Sequence, residues 1–364
     1  MGNAHPTILY GQPDKKIITM IRSKAQSINA RAANTLVEEL QLYFVKQLDK
    51  AINSNQDHSS FEAIEWLRDD GLHGGGIRYV ANNDLFFNRG SVNVSQIHYA
   101  DDTAKNLASA TALSTIIHPK NPFAPSVHMH ISWTEMKDGK AYWRMMADLN
   151  PAIADEQDSA LFTECLKNVA PEQYELAAAQ GDRYFFIPAL ERHRGVSHFY
   201  LEEYNSTDAQ ADFNLANNLG KAVIDCYVGI FSKAIQQHIE PTDADYQKQS
   251  AYHTLYLFQV LTLDRGTTSG LLIHDQNDVG IMGSLPAIID KALLSTWIEK
   301  LASPQDQLLT AIIDALPDQQ PCIVDEKTKL ALANVVRLHY KSNPKALSMQ
   351  AQGNIIPATV DNHR

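Results

Sequence analysis

The sequence predicts an α/β chain of the α+β type, built on one large, mainly antiparallel sheet. Three observations carry this expectation. Strand-like runs cluster in the middle of the chain, and helical runs occupy both ends and two interior blocks. Most strand-to-strand connections are too short to hold a crossover helix, which parallel neighbours require. With 364 residues the chain is long enough for two domains or one large α/β domain, and 44% hydrophobic with 20% charged residues is ordinary globular composition.

The elements follow from periodicity. Ile21, Ala25, Ile28, Ala32, Leu36, Leu40, Phe44, Leu48 and Ile52 recur at three- to four-residue steps, which predicts a long amphipathic helix. A second helix is predicted over Asp208 to His238, with Pro241 as a stop signal. Shorter helical patterns cover Glu156 to Gln180, Pro286 to Leu301, Gln305 to Leu316 and Asp325 to Tyr340. Strands are expected at Gly76 to Val80, Ser91 to His98, Thr115 to His118, Val127 to Met136 and Ala141 to Leu149. Three more are expected at Arg183 to Ile187, Val196 to Tyr204 and Thr254 to Leu263.

Composition excludes several function classes. A net charge of -11 argues against a general nucleic-acid binder, because neutralising phosphates needs an excess of Lys and Arg. Cys165, Cys226 and Cys322 are widely spaced and odd in number, which suits a reducing compartment and a cytoplasmic location. No stretch approaches the roughly 18 apolar residues of a membrane span, and no apolar signal-peptide core stands at the N-terminus. Gly74-Gly75-Gly76 runs into a strand and not a helix, so it is a poor phosphate loop.

The densest chemical signal lies between Ser126 and Pro151. His128, His130, Ser132 and Thr134 alternate with Val127, Met129, Ile131 and Trp133, giving one polar and one apolar face. Tyr142, Arg144, Met146 and Asp148 alternate likewise on the next strand. A three-residue loop at Lys137-Asp138-Gly139 would pair Ser132 with Arg144 and His128 with Asp148, gathering both polar stripes on one face. A two-residue loop would separate them, because a one-residue slip inverts every side chain. The same pattern also describes a hairpin whose polar face meets water. Two histidines at i, i+2 are a further option as metal ligands, with His118 and His128, and then His130 and His198, as candidates.

At this hairpin the chain resembles the oxygen-dependent coproporphyrinogen III oxidases, in order from about Trp66 to Pro286. Val92-Asn93-Val94-Ser95 is similar to the family's V-N-x-S strand, and Gly74-Gly75-Gly76 with Arg78 to its Gly-rich segment. Ser114 and the run His118-Pro119-Lys120-Asn121-Pro122 match S-x-x-x-H-P-x-N-P, with His128 following at the family's spacing. Asp148-Leu149-Asn150-Pro151 resembles D-L-T-P, and Tyr184-Phe185 with Arg194-Gly195-Val196 resembles the Y-F and R-G-[IV] stretches. Asp264-Arg265-Gly266-Thr267 reproduces D-R-G-T, and Ser284-Leu285-Pro286 matches the S-L-P ending.

The resemblance implies a single domain over residues 1–364, with helices on both sides of the sheet and C-terminal helices over 286–342. It implies a homodimer acting on a small tetrapyrrole, with no membrane or nucleic-acid partner. The implied reaction converts two propionates of coproporphyrinogen III to vinyl groups, with molecular oxygen as co-substrate. Neither an organic cofactor nor a divalent metal is expected. By matched position, His128 would be the acid/base residue, Asp264 and Asp148 would accept pyrrole N–H bonds, and Arg265 would bind a propionate or orient Asp264. Ser114 and His118 would line the substrate pocket, joined from the hairpin by His130, Ser132 and Arg144.

Departures from the family pattern fall mostly on carboxylate-gripping charges. His130-Ile131-Ser132 replaces a segment that normally carries an arginine, and Arg144-Met145-Met146-Ala147 replaces a glycine run. Thr163 and Ala189 stand where bacterial relatives carry histidines proposed as metal ligands, and Ser197-His198 replaces Gly-Gly. The arginine-containing loop before S-L-P reads His274-Asp275-Gln276-Asn277-Asp278. These changes leave open a paralogue that takes another tetrapyrrole or a less carboxylated ligand.

Overall fold

A computed structural model describes residues 22–52, 59–354 and 360. Seven strands form one sheet: β1 (Phe61–Leu67), β2 (Gly74–Ala81), β3 (Phe87–His98), β4 (Leu107–Pro119), β5 (Ser126–Met136), β6 (Ala141–Asn150) and β9 (Ser197–Tyr204). All neighbours are antiparallel, in the order β1-β2-β3-β4-β5-β6-β9. Short β7 (Phe186–Ile187) and β8 (Arg192–His193) pair separately, as do β10 (Ile288–Ile289) and β11 (Cys322–Ile323).

The helices are α1 (Ile28–Ala51), α2 (Glu156–Val169), α3 (Tyr174–Phe185), α4 (Ala209–Gln237), α5 (Asp243–Thr262), α6 (Arg265–Ile273), α7 (Asp278–Ile281), α8 (Lys291–Ser295), α9 (Gln305–Ala315) and α10 (Glu326–Ser342). Their starts are set chemically. Ser27, Asp208 and Asp264 cap α1, α4 and α6 by accepting first-turn backbone N–H groups, and Thr242 with Asp245 forms a capping box on α5. The predicted helix from residue 21 begins later because Ser27 caps it there; Ile21 lies outside the described residues.

Alternation along the strands divides the sheet into two faces. Val92, Leu113, Val127, Met129, Ile131, Met145, Ala147 and Phe199 point to one side and pack with Leu36, Leu40 and Phe44 of α1 and Leu219, Val223 and Phe231 of α4. Each such fully buried side chain contributes about 1.5–3 kcal/mol. A second apolar cluster joins Leu255, Leu257 and Leu261 of α5 to Leu309 and Ile312 of α9 and Leu332 and Val336 of α10. Helices therefore cover both faces, as expected, and the second face keeps a cavity beneath them.

The hairpin register agrees with the three-residue loop. Met136 N–H donates to the Lys140 carbonyl at 2.8 Å, Gly139 adopts φ +93°, and His128 pairs with Asp148 and Ser132 with Arg144. Gly139 tolerates that left-handed backbone without a Cβ penalty.

Other elements differ from expectation. Thr254 to Leu263 is not a strand: all residues up to Thr262 are helical and belong to α5. Its continuous apolar run reflects a helix buried on all sides, which periodicity cannot separate from a buried strand. Arg183 to Phe185 ends α3, and only Phe186 and Ile187 are extended. The helix expected over 156–180 is two, broken between Ala170 and Gln173 where Pro171 intervenes. Pro286 to Leu301 holds β10, the short α8 and a single tight turn instead of one helix.

Candidate active site

The cavity lies between the polar sheet face and α5 to α7, with a volume of about 300 Å³. Ser114, His128, His130, Ser132, Arg144, Asp264 and Arg265 all line it, so one space gathers seven of the residues singled out in the sequence. His118 and Asp148 stand behind that lining, fully buried.

Asp148 organises the centre. Its Oδ1 accepts from His128 Nδ1 at 2.7 Å, and its Oδ2 accepts from Arg194 Nη2 at 2.8 Å and Asn150 Nδ2 at 2.6 Å. Burial alone would raise its carboxyl, but Arg194 and His128, with the hydrogen bonds from His128 and Asn150, outweigh burial and hold it well below the usual carboxylate range. An ionised carboxylate only accepts, so His128 Nδ1 must carry a proton. Its other ring nitrogen, Nε2, makes no hydrogen bond among the described residues and belongs to a ring lining the cavity.

Arg194 is locked in turn. Its Nη1 donates to Gln259 Oε1 at 2.7 Å, and its guanidinium stacks between Phe185 and Tyr256, 4.4 and 4.7 Å from their ring centres. Burial opposes its charge, but Asp148 and neighbouring tyrosines push its pKa up, so it remains a cation.

Arg144 lies opposite Ser132 on the same hairpin face as His130. Its Nε meets Glu202 Oε2 at 2.7 Å, and Tyr200 O–H donates to the same carboxylate. Its two terminal amino groups make no hydrogen bond among the described residues, so they remain for a ligand carboxylate. His130 Nε2 contacts Ser132 Oγ at 3.0 Å, and burial, then Arg144 and His128, drive its pKa well below the ordinary value. It is therefore a neutral hydrogen-bonding group.

Asp264 and Arg265 begin α6 at the opposite wall. Asp264 Oδ1 accepts from Thr267 N–H at 2.6 Å, and its Oδ2 accepts from Tyr184 O–H at 3.1 Å. Arg265 Nη2 donates to the Leu347 carbonyl at 3.3 Å, while its buried Nε has no partner. His118 spends both ring nitrogens elsewhere, Nδ1 on Ser126 Oγ at 2.7 Å and Nε2 on the Ser284 carbonyl at 3.1 Å. Both of its nitrogens are thus taken by the protein. Among the described residues no group of three or more His, Cys, Asp or Glu is placed to hold a metal ion.

Glu202, Tyr200, Arg194, Tyr256 and Gln259 complete the site without having been chosen as site residues from sequence. His198, Tyr200 and Glu202 alternate with Phe199 and Leu201 as the hairpin residues do, and that pattern marks Glu202. Reading α5 as a strand hid Tyr256 and Gln259.

Comparison with known proteins decides the family. The model of the coproporphyrinogen III oxidase family matches residues 32–313, more than three quarters of the chain. The chain belongs to the coproporphyrinogen III oxidase family. It is 26% identical over 295 residues to the mitochondrial oxygen-dependent coproporphyrinogen-III oxidase of Rattus norvegicus, covering 74% of this chain and 64% of the relative. It is 28% identical over 275 residues to the oxygen-dependent coproporphyrinogen-III oxidase of Drosophila melanogaster, covering 69% of each chain. It is also 28% identical over 291 residues to the chloroplastic coproporphyrinogen-III oxidase 1 of Arabidopsis thaliana, covering 72% of this chain and 73% of the relative. The chain spans less than two thirds of the mammalian relative's length. Among the described residues no helix is long and apolar enough to cross a membrane.

Proposed function

We propose that this member of the family catalyses oxygen-dependent oxidative decarboxylation of propionate arms on a porphyrinogen, with coproporphyrinogen III as the substrate. The observation that carries the reading is the His128–Asp148–Arg194 relay, which leaves His128 Nε2 without a partner among the described residues, in a ring lining a cavity that also holds the free end of Arg144. Each arm, as the acid, loses carbon dioxide and two hydrogens to become vinyl, and one oxygen molecule takes the two hydrogens to become hydrogen peroxide. The carboxyl carbon leaves as CO2, a C–H bond on the carbon next to the pyrrole breaks, and the new C=C bond forms between the two remaining arm carbons.

Within that scheme each residue has a bounded role. His128 Nε2 accepts a proton while Asp148 stabilises the imidazolium that forms. Arg144, steadied by Glu202, holds a carboxylate. The Asp264 carboxylate receives pyrrole N–H donors in addition to Tyr184, and Arg265 supports it through the N–H bond it makes to the Tyr184 oxygen. Ser114, His130 and Ser132 supply neutral polar contacts, and His118 and Asp148 act from behind by fixing Ser126 and His128. A homodimer and a cytoplasmic location belong to the same proposal, the latter supported by three free cysteines.

Aerobic incubation with chemically reduced coproporphyrinogen III, oxidation, and chromatographic separation of the porphyrins tests this. The expected product has two fewer carboxylates than the substrate and is absent without enzyme and with His128→Ala. No product from the intact protein overturns the substrate assignment and favours a ligand with fewer carboxylates.

A further inference from the structure

A second concentration of positive charge lies on the same sheet face, at its β2–β3 border. Register fixes the place: Arg78 is opposite Asn93, Asn93 opposite Ser114, and Ser114 opposite His130, so Arg78 shares a transverse row with residues of the cavity. At about 4.8 Å per strand, three strand spacings separate it from His130 by about 14 Å. Arg89 comes from the same face of β3, opposite His118.

The Arg78 side chain lies under the segment that closes the cavity on this side. Its Nη1 would be 2.5 Å from a Cβ at Gly280, and its Cδ 3.8 Å from one at Gly283. Any side chain at Gly280 would collide with this guanidinium and with Asn277, so the glycine makes room for the arginine. Ser91, Asn277 and Gly280 also line the cavity, which puts Arg78 directly behind that lining.

Helix α10 brings a third cation. Arg337 anchors this helix to α7 through Asp278 and to α6 through a 2.8 Å bond from Nε to the Leu271 carbonyl. At its other end, Arg89 donates to the Val324 carbonyl at 2.7 Å and to the Leu285 carbonyl at 3.1 Å. That brings the start of α10, whose first turn carries Lys329, up to Arg89. Burial, then Arg89 and Arg78, push the Lys329 amine down to about 7. Lys329 lies beyond residue 313, where the family match ends.

None of these three side chains has an ion-pair partner among the described residues. Arg78 is 6% exposed and Lys329 5%, yet neither side chain makes a hydrogen bond or an ion pair among the described residues. Arg89 bonds only to neutral carbonyls. The carboxylates whose fields reach these groups, Glu326 for all three, Asp84 for Arg89 and Asp325 for Lys329, are exposed and pair with none of them. Buried cations without a counter-charge are costly, and groups of them are kept where an anion completes them.

We propose that Arg78, Arg89 and Lys329 form a buried oxyanion-binding subsite beside the cavity, behind Ser91 and Gly280, completed by a carboxylate or phosphate group. Two sources fit this chemistry, a free inorganic anion or a second carboxylate arm of the cavity's ligand. The second rests on the porphyrinogen reading above; the first does not.

The test uses the full chain and the variants Arg78→Gln and Lys329→Met. Melting temperature is measured with and without inorganic phosphate, and affinity is measured for a tetracarboxylate and a dicarboxylate porphyrin by quenching of tryptophan emission, since Trp66 lines the cavity. Both substitutions should raise the melting temperature of the ligand-free protein, because each removes an uncompensated buried charge. Both should weaken the oxyanion ligand by about 10- to 100-fold. Loss confined to the tetracarboxylate porphyrin identifies a ligand arm, and loss of the phosphate-induced rise in melting temperature identifies a free anion. Wild-type protein that responds to neither probe, or variants that retain both responses, overturns the subsite. Phosphate binding without porphyrin binding would leave the subsite standing and remove the porphyrinogen reading. Porphyrin turnover with unchanged variant affinities would do the reverse.

Discussion

Replacing Asp148 with asparagine removes the charge on which two other groups depend. The fully buried carboxylate meets Arg194 at 2.8 Å and His128 at 2.7 Å, so the substitution strands a guanidinium that is itself 1% exposed. Two charge-assisted hydrogen bonds at about 1.5–3 kcal/mol each bound the loss, and breaking one partner of a buried pair costs about 3–5 kcal/mol. We therefore expect Asp148→Asn to lose about 3–5 kcal/mol, read as a shift in the midpoint of urea unfolding at neutral pH. The pH dependence has a definite sign. A depressed carboxyl stabilises the fold fully above its unfolded value of 3.8 and loses that stabilisation as the pH falls toward the lower folded value. The gap between wild type and Asp148→Asn should then narrow in acid below 3.8. A loss under about 1 kcal/mol at neutral pH, or a gap that widens in acid, would refute the reasoning.

Three further outcomes follow from single contacts. Glu202→Gln leaves Arg144 without its ionic partner at 2.7 Å and should weaken a carboxylate ligand by about tenfold in a binding titration and, as a broken buried pair, cost about 3–5 kcal/mol of stability. Asp264→Ala removes the α6 cap and the acceptor for Tyr184, which should lower stability by about 1–3 kcal/mol in thermal unfolding. Leu40→Ala, at a fully buried position between α1 and the sheet, should cost about 2–5 kcal/mol in the same assay and leave ligand affinity unchanged.

Much of the architecture was legible in the sequence because it rests on local rules. Alternation in the Val127–Met136 and Ala141–Leu149 runs is the direct imprint of one face against α1 and α4 and another toward a cavity, and Lys137-Asp138-Gly139 sets their register. The same rule explains why His128, His130, Ser132 and Arg144 could be placed together beforehand, while Ser114 joined them through the family resemblance. What stayed hidden depends on burial from all sides or on distant partners. Thr254 to Thr262 carries no amphipathic signature because the sheet and α9–α10 enclose it, so neither its helical form nor the parts played by Tyr256 and Gln259 could be read. Asp148 offered no sign in the sequence that Arg194, 46 residues later, would occupy it. Lys329 sits in an ordinary amphipathic helix, and only packing shows that its amine is buried beside two arginines.

The central claim is that His128 Nε2 serves an oxygen-dependent decarboxylation inside this cavity. Its most direct test is the simultaneous measurement of oxygen uptake and carbon dioxide release from reduced coproporphyrinogen III, with wild-type protein and His128→Ala. The account predicts one oxygen consumed per carbon dioxide released by the wild type, and neither change above background with the variant. Carbon dioxide release that continues without oxygen, or that His128→Ala leaves intact, would contradict it.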